Sequence, residues 1–291
     1  MNFSAIIRLV RANQWYKNIV IFLPLIFGAK LFNLFSFKQT IAGFIAFCMV
    51  SSSNYIINDI IDRKKDKNNP EKRFRPIAAG EISVDLALIA AVFLLIAGLY
   101  LSYNLSLAFF MLAALSFILI QAYTLWLKNE PFIDILVIPT NFVIRTVSGA
   151  FVIADGFSPY IRISPWLILG PFFLALFLAI SKRRSEIFLL KDNFKSHRNV
   201  LEYYDDNITW ALLIISIAIL ISCYSLYTFF SPYPLLIWTI PFFLYMIFRM
   251  FYLVKQNSPL ARYPELAYKD YRILISMIIF SLILLGSIYL K

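Results

Sequence analysis

The sequence predicts an all-α fold, a polytopic membrane bundle of about nine transmembrane helices. Hydrophobic residues make up 61% of the 291, and the mean hydropathy is +0.76. The apolar residues fall in unbroken runs long enough to cross a hydrocarbon core of about 30 Å. Runs such as "LALIAAVFLLIAGLYL" lack the two-residue alternation of a membrane barrel. Helices are then the way to satisfy backbone polar groups in lipid.

The chain opens with "MNFSAIIRLVRANQWYKN", three cations set among apolar residues without a small-residue cleavage pattern. Residues 1–18 therefore read as an interfacial amphipathic helix and not as a removable leader. Spanning segments follow at 19–36, 40–58, 84–102, 105–126, 132–154, 165–181, 208–230, 234–254 and 271–290. Two long charged connections, 59–83 and 182–207, lie between them. No low-complexity tract or linker divides the sequence, so residues 1–291 read as a single transmembrane domain.

Charge sets the orientation. In this arrangement 22 of the 27 Lys and Arg residues fall on one side of the membrane. Lys30, Lys38, Arg162 and Lys291 fall on the other, and Arg145 lies inside an apolar segment. The positive-inside rule places the N-terminus and both charged connections on the cytoplasmic face of the cell membrane and the C-terminus outside. The net charge of +11 is thus a topology signal for a lipid-bilayer protein, with no nucleic-acid partner implied. Cys48 and Cys223 lack metal-ligand spacing and read as packing residues, and His197, in a polar connection, reads as structural. The phosphate-loop and dinucleotide fingerprints are missing, as are His and Cys metal clusters, which argues against ATP hydrolysis and zinc chemistry.

Three constellations carry the chemistry. Asn54, Asn58, Asp62 and Asp66 recur every four residues, which lines their oxygens along one helical face at the cytoplasmic end of a membrane helix. Such oxygen ligands suit Mg²⁺ shared with substrate phosphates. Lys64, Lys65, Lys67, Lys72, Arg73 and Arg75 follow directly, and arginines among them suit forked bonds to phosphate. In the second constellation, Tyr123 and Lys128 precede a helix on which Asp134, Asn141 and Arg145 share a stripe. An arginine this deep in a membrane helix faces a partner or a cavity: either an ion pair with Asp134 or the wall of a polar site. The third is "AISKRRSE", where Lys182, Arg183 and Arg184 either anchor topology or bind phosphate.

The stretch "NDIIDRKKD" from Asn58 to Asp66 resembles the N-D-x-x-D-x-x-x-D motif of the UbiA superfamily of intramembrane prenyltransferases, and the resemblance covers nearly the whole chain. It implies a nine-helix fold with a magnesium diphosphate site. Members that prenylate rings or lipids carry a second aspartate-rich motif after the sixth helix, where this sequence has "SKRRSE". That departure, with "LVRANQWYKN", "NPEKRFRPIAAG", "LWLKNEPFIDILV" and "FVIRTVSGA", resembles the decaprenyl-phosphate phosphoribosyltransferase branch. Its reaction is transfer of 5-phosphoribosyl from 5-phosphoribosyl 1-diphosphate to a polyprenyl phosphate.

By this resemblance Asn58, Asp62 and Asp66 hold Mg²⁺ and the donor diphosphate, and Lys17, Lys72, Arg73 and Arg75 hold donor phosphates. Tyr123, Lys128 and Asp134 would build the facing wall, with Asp134 serving the reaction, Arg145 would face the cavity, and Lys182, Arg183 and Arg184 would lie near a phosphate; Asn54 and Asn141, read from their helical spacing, would join the lining. The alternative is the ordinary UbiA reaction, prenyl transfer from a prenyl diphosphate to an aromatic or lipid acceptor. A transporter is disfavoured because the charges cluster on one side. A homo-oligomer is compatible with the sequence.

Overall fold

The computed structural model describes residues 3–153, 163–190 and 199–290. The helices are α1 (Phe3–Leu9), α2 (Leu34–Ile61), α3 (Val84–Leu105), α4 (Leu107–Leu125), α5 (Ile133–Val152), α6 (Pro165–Leu190), α7 (Asp206–Phe230), α8 (Ile240–Lys255) and α9 (Tyr271–Tyr289), joined by shorter helical turns. Among the described residues, eight helices are long and apolar enough to cross a membrane, and no strand is present. The apolar run 19–36 differs from its reading as one span. It divides into a 3-10 stretch, Ala12–Phe22, and a short helix, Leu23–Phe27, before α2 begins at Leu34. Ala29 with φ 54° turns the chain, and the Asn33 side chain accepts the Ser36 N–H at 2.9 Å to cap α2. Hydropathy registers apolarity, not such turns.

Two compact units emerge. The first takes in the chain up to Leu125 and the stretch from Ile144; the second takes in Trp126–Val143 and the chain from Ile163. The helix α5 contributes to both. In the first unit α2 is the central element. One core joins Ile21, Ala46, Phe47, Phe109, Ala113 and Val152, with the Phe47 and Phe109 rings edge to face at 5.4 Å. A second joins Ala5 and Leu9 of α1, Ile56 of α2, Ile77 and Ile82, and Ala87 and Ala91 of α3. This cluster fixes the connection 59–83 around the C-terminal end of α2. That connection is itself structured: it holds the helix Arg63–Lys67 and a 3-10 turn Lys72–Phe74, and Gly80 with φ 78° supplies the last turn before α3.

The second unit packs Phe177 and Ile180 of α6, Leu213 and Leu220 of α7, Ile247 and Leu253 of α8 and Ile273 of α9 around Ile135. Here α6 runs on to Leu190, so Lys182, Arg183 and Arg184 stand on a helix rather than in the connection where the sequence reading put them. Lys191, His197 and Arg198 lie outside the described residues. On both units the exposed faces are rich in Leu, Ile and Phe, including Leu88, Ile89, Phe93, Ile214 and Ile278. A bilayer turns this apolar surface into a buried one.

Gly149 decides one close approach in the first unit. A Cβ there would sit 2.2 Å from the Ile21 carbonyl oxygen, a backbone atom that cannot swing aside. Gly149→Ala is expected to lower stability by about 1–3 kcal/mol through overpacking, read as a fall in the thermal midpoint of detergent-solubilised protein.

Candidate active site

The acidic residues stand where α2 ends. The backbone ladder continues past Ile61: the Asp62 N–H donates to Asn58 O at 2.9 Å, and the Asp66 N–H to Asp62 O at 2.9 Å. Asn58, Asp62 and Asp66 thus stay on one helical face, a turn apart. Asn54 is buried a turn deeper, and its Oδ1 accepts from Gln121 Nε2 at 2.6 Å, tying α2 to α4.

Carboxylates at the C-terminal end of a helix oppose its macrodipole and require cations. Arg75 Nη1 donates to Asp66 Oδ2 at 2.7 Å and to Asp59 Oδ1 at 2.9 Å. Arg11 donates to the same Asp59 oxygen, and its guanidinium lies over the Tyr55 ring, 5.0 Å from the centroid. The Tyr55 hydroxyl bonds Arg145 and lies in the field of Lys17, Arg145 and Arg11. The intramembrane arginine therefore has a phenol partner on α2. Lys72 and Arg73 are exposed, with Arg73 over the Phe74 ring at 4.8 Å. Tyr123 is half-buried on α4.

The second unit has its own charge cluster. Asp134, fully buried, accepts from Arg183 Nε at 2.8 Å through Oδ2 and from the Tyr204 hydroxyl through Oδ1. Arg183 Nη1 also donates to Glu186 at 2.6 Å. Burial first, and then the neighbouring Asp134 carboxylate, push the Tyr204 hydroxyl up, so it stays a donor. Arg184 pairs with Asp206 and stacks on Trp210 at 4.2 Å. Asn141 is buried, Lys128 half-buried and Lys182 exposed. The ion pair that the sequence offered between Asp134 and Arg145 is replaced by Asp134 with Arg183 and Arg145 with Tyr55.

Sequence reasoning passed over Asp59, Arg11, Tyr55 and Tyr204. Asp59 was legible as the second letter of the N-D motif, but a four-residue step along the helix skips it. Arg11 looked like one more topology charge.

Residues 20–269 match the UbiA prenyltransferase family. The chain belongs to that family. It is accordingly a transferase and a multi-pass membrane protein. Among its UbiA relatives, the decaprenyl-phosphate phosphoribosyltransferase of Mycolicibacterium smegmatis is 31% identical over 230 residues, covering 78% of this chain and 70% of that protein. The protein of the same description from Corynebacterium glutamicum is 33% identical over 205 residues, covering 69% and 60%. The match thus spans less than two thirds of the Corynebacterium protein. A UbiA homolog from Archaeoglobus fulgidus, solved with GPP and Mg²⁺, superposes with a TM-score of 0.67 at 17% identity, covering 96% of each chain. That likeness shows the fold.

The charge clusters of the second unit generate two tests. Arg183→Met leaves Asp134 buried without its cation and is expected to cost about 3–5 kcal/mol, while adding Asp134→Asn recovers most of the loss; thermal unfolding of both variants decides. Asp270 caps α9, accepting the Arg272 and Ile273 N–H groups at 3.1 and 3.3 Å, and accepts Arg249 Nε and Nη2 at 3.0 and 2.8 Å. Burial alone would raise its carboxyl, but these bonds outweigh it and hold the carboxyl below its ordinary value. The folded state then binds this proton less readily than the unfolded one. Its stabilising contribution is full above about pH 4 and is lost as the pH falls through the lowered value. Asp270→Asn is expected to flatten that acid limb of a stability-against-pH curve.

Proposed function

We propose that this protein transfers 5-phosphoribosyl from 5-phosphoribosyl 1-diphosphate to a polyprenyl phosphate in the cell membrane, releasing diphosphate, with the acidic end of α2 on the cytoplasmic side. The observation that carries the reading is the pairing, at one helix end, of an oxygen-rich stripe with arginines drawn from two other segments. The names of the mycobacterial and corynebacterial relatives support the same chemistry. So does the excess of Lys and Arg on the side of the membrane where a water-soluble donor would arrive.

The donor set fits magnesium. Asn58, Asp62 and Asp66 offer hard oxygens about a turn apart, from the last turn of α2 through its C-cap to the short helix Arg63–Lys67, at the negative end of a helix dipole. Among the described residues no cage of three His, Cys, Asp or Glu side chains is built, and Mg²⁺ characteristically takes one or two carboxylates with substrate phosphates. Held there, Mg²⁺ supplies neutralisation of the diphosphate oxygens.

The protein's own groups then do the rest. Arg75, with Lys17, Lys72 and Arg73, draws the donor phosphates to the helix end and stabilises negative charge that grows on the diphosphate as the anomeric C–O bond breaks. The acceptor phosphate is already anionic at neutral pH. Its oxygen attacks the anomeric carbon, the bonding pair departs with diphosphate, and no histidine base is needed. Direct displacement inverts that carbon. Arg145, held by Tyr55, keeps positive charge at membrane depth for an acceptor phosphate whose prenyl chain stays in lipid.

Purified protein in detergent, given Mg²⁺, radiolabelled 5-phosphoribosyl 1-diphosphate and a polyprenyl monophosphate, is expected to move label into the organic phase. Asp62→Ala is expected to reduce this transfer by at least about 100-fold, since metal-assisted charge neutralisation contributes several kcal/mol. Failure to label lipid, combined with turnover of an allylic diphosphate and an aromatic acceptor, favours prenyl transfer instead.

A further inference from the structure

One edge of the second unit gathers cations and phenols that the proposed reaction does not use. On α8 the exposed side chains Tyr245, Phe248, Tyr252 and Lys255 follow helical spacing, and Arg249 stands beside them. Tyr271 and Arg272, both exposed, open α9. Asp270 joins the two helices: it is buried and accepts Arg249 Nε at 3.0 Å and Nη2 at 2.8 Å while capping α9. The Arg249 guanidinium lies over the Tyr252 ring, 5.4 Å from its centroid. Arg272 Nε donates to the Tyr271 hydroxyl at 3.1 Å, and its charge interacts with Tyr245 and Asp270. Two guanidiniums therefore share the field of one carboxylate, and each is oriented by a phenol.

Tyrosine and lysine at the end of a membrane span form an ordinary interfacial belt. A belt does not require that its arginines be fixed. Here Arg249 is fixed by a buried acid and Arg272 by a neighbouring hydroxyl, at the height where α9 begins. From Arg249 to Arg272 the sequence holds five Lys and Arg residues against two acids, Glu265 and Asp270. Asp270 is committed to Arg249, whereas Lys255, Lys269 and Arg272 are exposed. Outward-facing Phe248, Ile275 and Ile278 continue the same helices as apolar surface. A cationic rim above an apolar face fits an amphiphile with an anionic head.

We propose that the edge formed by α8 and α9 binds one anionic phospholipid of the surrounding bilayer, its phosphate held by Arg272 and Arg249 with the Tyr245 and Tyr252 hydroxyls. The α9 N-terminus is not the site, because Asp270 already engages its first N–H groups. All of these residues belong to the second unit, and the proposal stands independently of the phosphoribosyl-transfer reading. The lipid is a resident ligand here. Its phosphodiester is anionic at neutral pH and accepts from guanidinium and phenol donors alike.

The test uses the full chain in a neutral detergent, with dioleoyl phosphatidylglycerol or dioleoyl phosphatidylcholine added and bound lipids counted by native mass spectrometry. Wild type is expected to retain one phosphatidylglycerol about fivefold more tightly than phosphatidylcholine, the scale of one basic side chain near an anionic headgroup. Arg272→Gln should abolish that preference. The variant keeps the fold, since the Arg272 backbone N–H and not its side chain meets the Asp270 cap; its thermal midpoint without added lipid checks this. Lys67→Gln, which removes an exposed lysine from the first unit, should leave the preference within about twofold. Equal retention of both lipids by wild type would overturn the proposal. So would a preference that survives Arg272→Gln, or one that Lys67→Gln lowers as much, the mark of diffuse attraction to net charge. Farnesyl monophosphate serves as competitor and should not displace phosphatidylglycerol at equal concentration. Displacement would assign the edge to a prenyl phosphate and sink the phospholipid site.

Discussion

Acidic side chains gathered at the C-terminal end of a membrane helix are the constraint on which the first unit depends. Asp59, Asp62 and Asp66 repel one another and the partial negative charge of the α2 terminus, close to a region where water is scarce. Arg75 bridges two of them from the 59–83 connection, and Arg11 reaches one of them from the N-terminal segment. Arg11 precedes α2 and Arg75 follows it, so the electrostatic demand of one helix end draws on both flanking segments. The hydrophobic cluster of Ala5, Leu9, Ile56, Ile77 and Ile82 supplies the complementary packing. Charge brings the segments to the helix end, and apolar contact seats them there.

The second unit solves a similar problem to a different end. Both oxygens of Asp134 are engaged, one by Arg183 and one by Tyr204, and the Tyr204 oxygen in turn accepts the Phe132 N–H at 3.0 Å. A buried carboxylate committed in this way ties α5 to α6 and to the segment before α7. Asp59 is equally hidden, but its partners are only partly covered.

Much of this was legible in the amino acids. Hydropathic runs locate the spanning helices to within a few residues at α3, α4, α7 and α9, because length and apolarity are what a bilayer demands. The Asn58, Asp62 and Asp66 face was readable because four residues make about one helical turn. Partnership was less visible. Asp134 and Arg145 share a stripe by spacing, but each finds its partner on another helix, a choice set by tertiary packing. The 19–36 run shows the other gap: Ala29 in a left-handed turn interrupts a segment that is apolar throughout.

The basic stretch "SKRRSE" illustrates how a correct observation can carry a different meaning once its partners are known. Base in place of acid after the sixth helix suggests cations waiting for phosphate. In the folded chain Arg183 neutralises Asp134 and Glu186, and Arg184 neutralises Asp206 while stacking on Trp210. Their charges are largely spent inside the protein. In the first unit, by contrast, Arg11 and Arg75 meet the hidden Asp59 with side chains that stay 20% and 23% exposed.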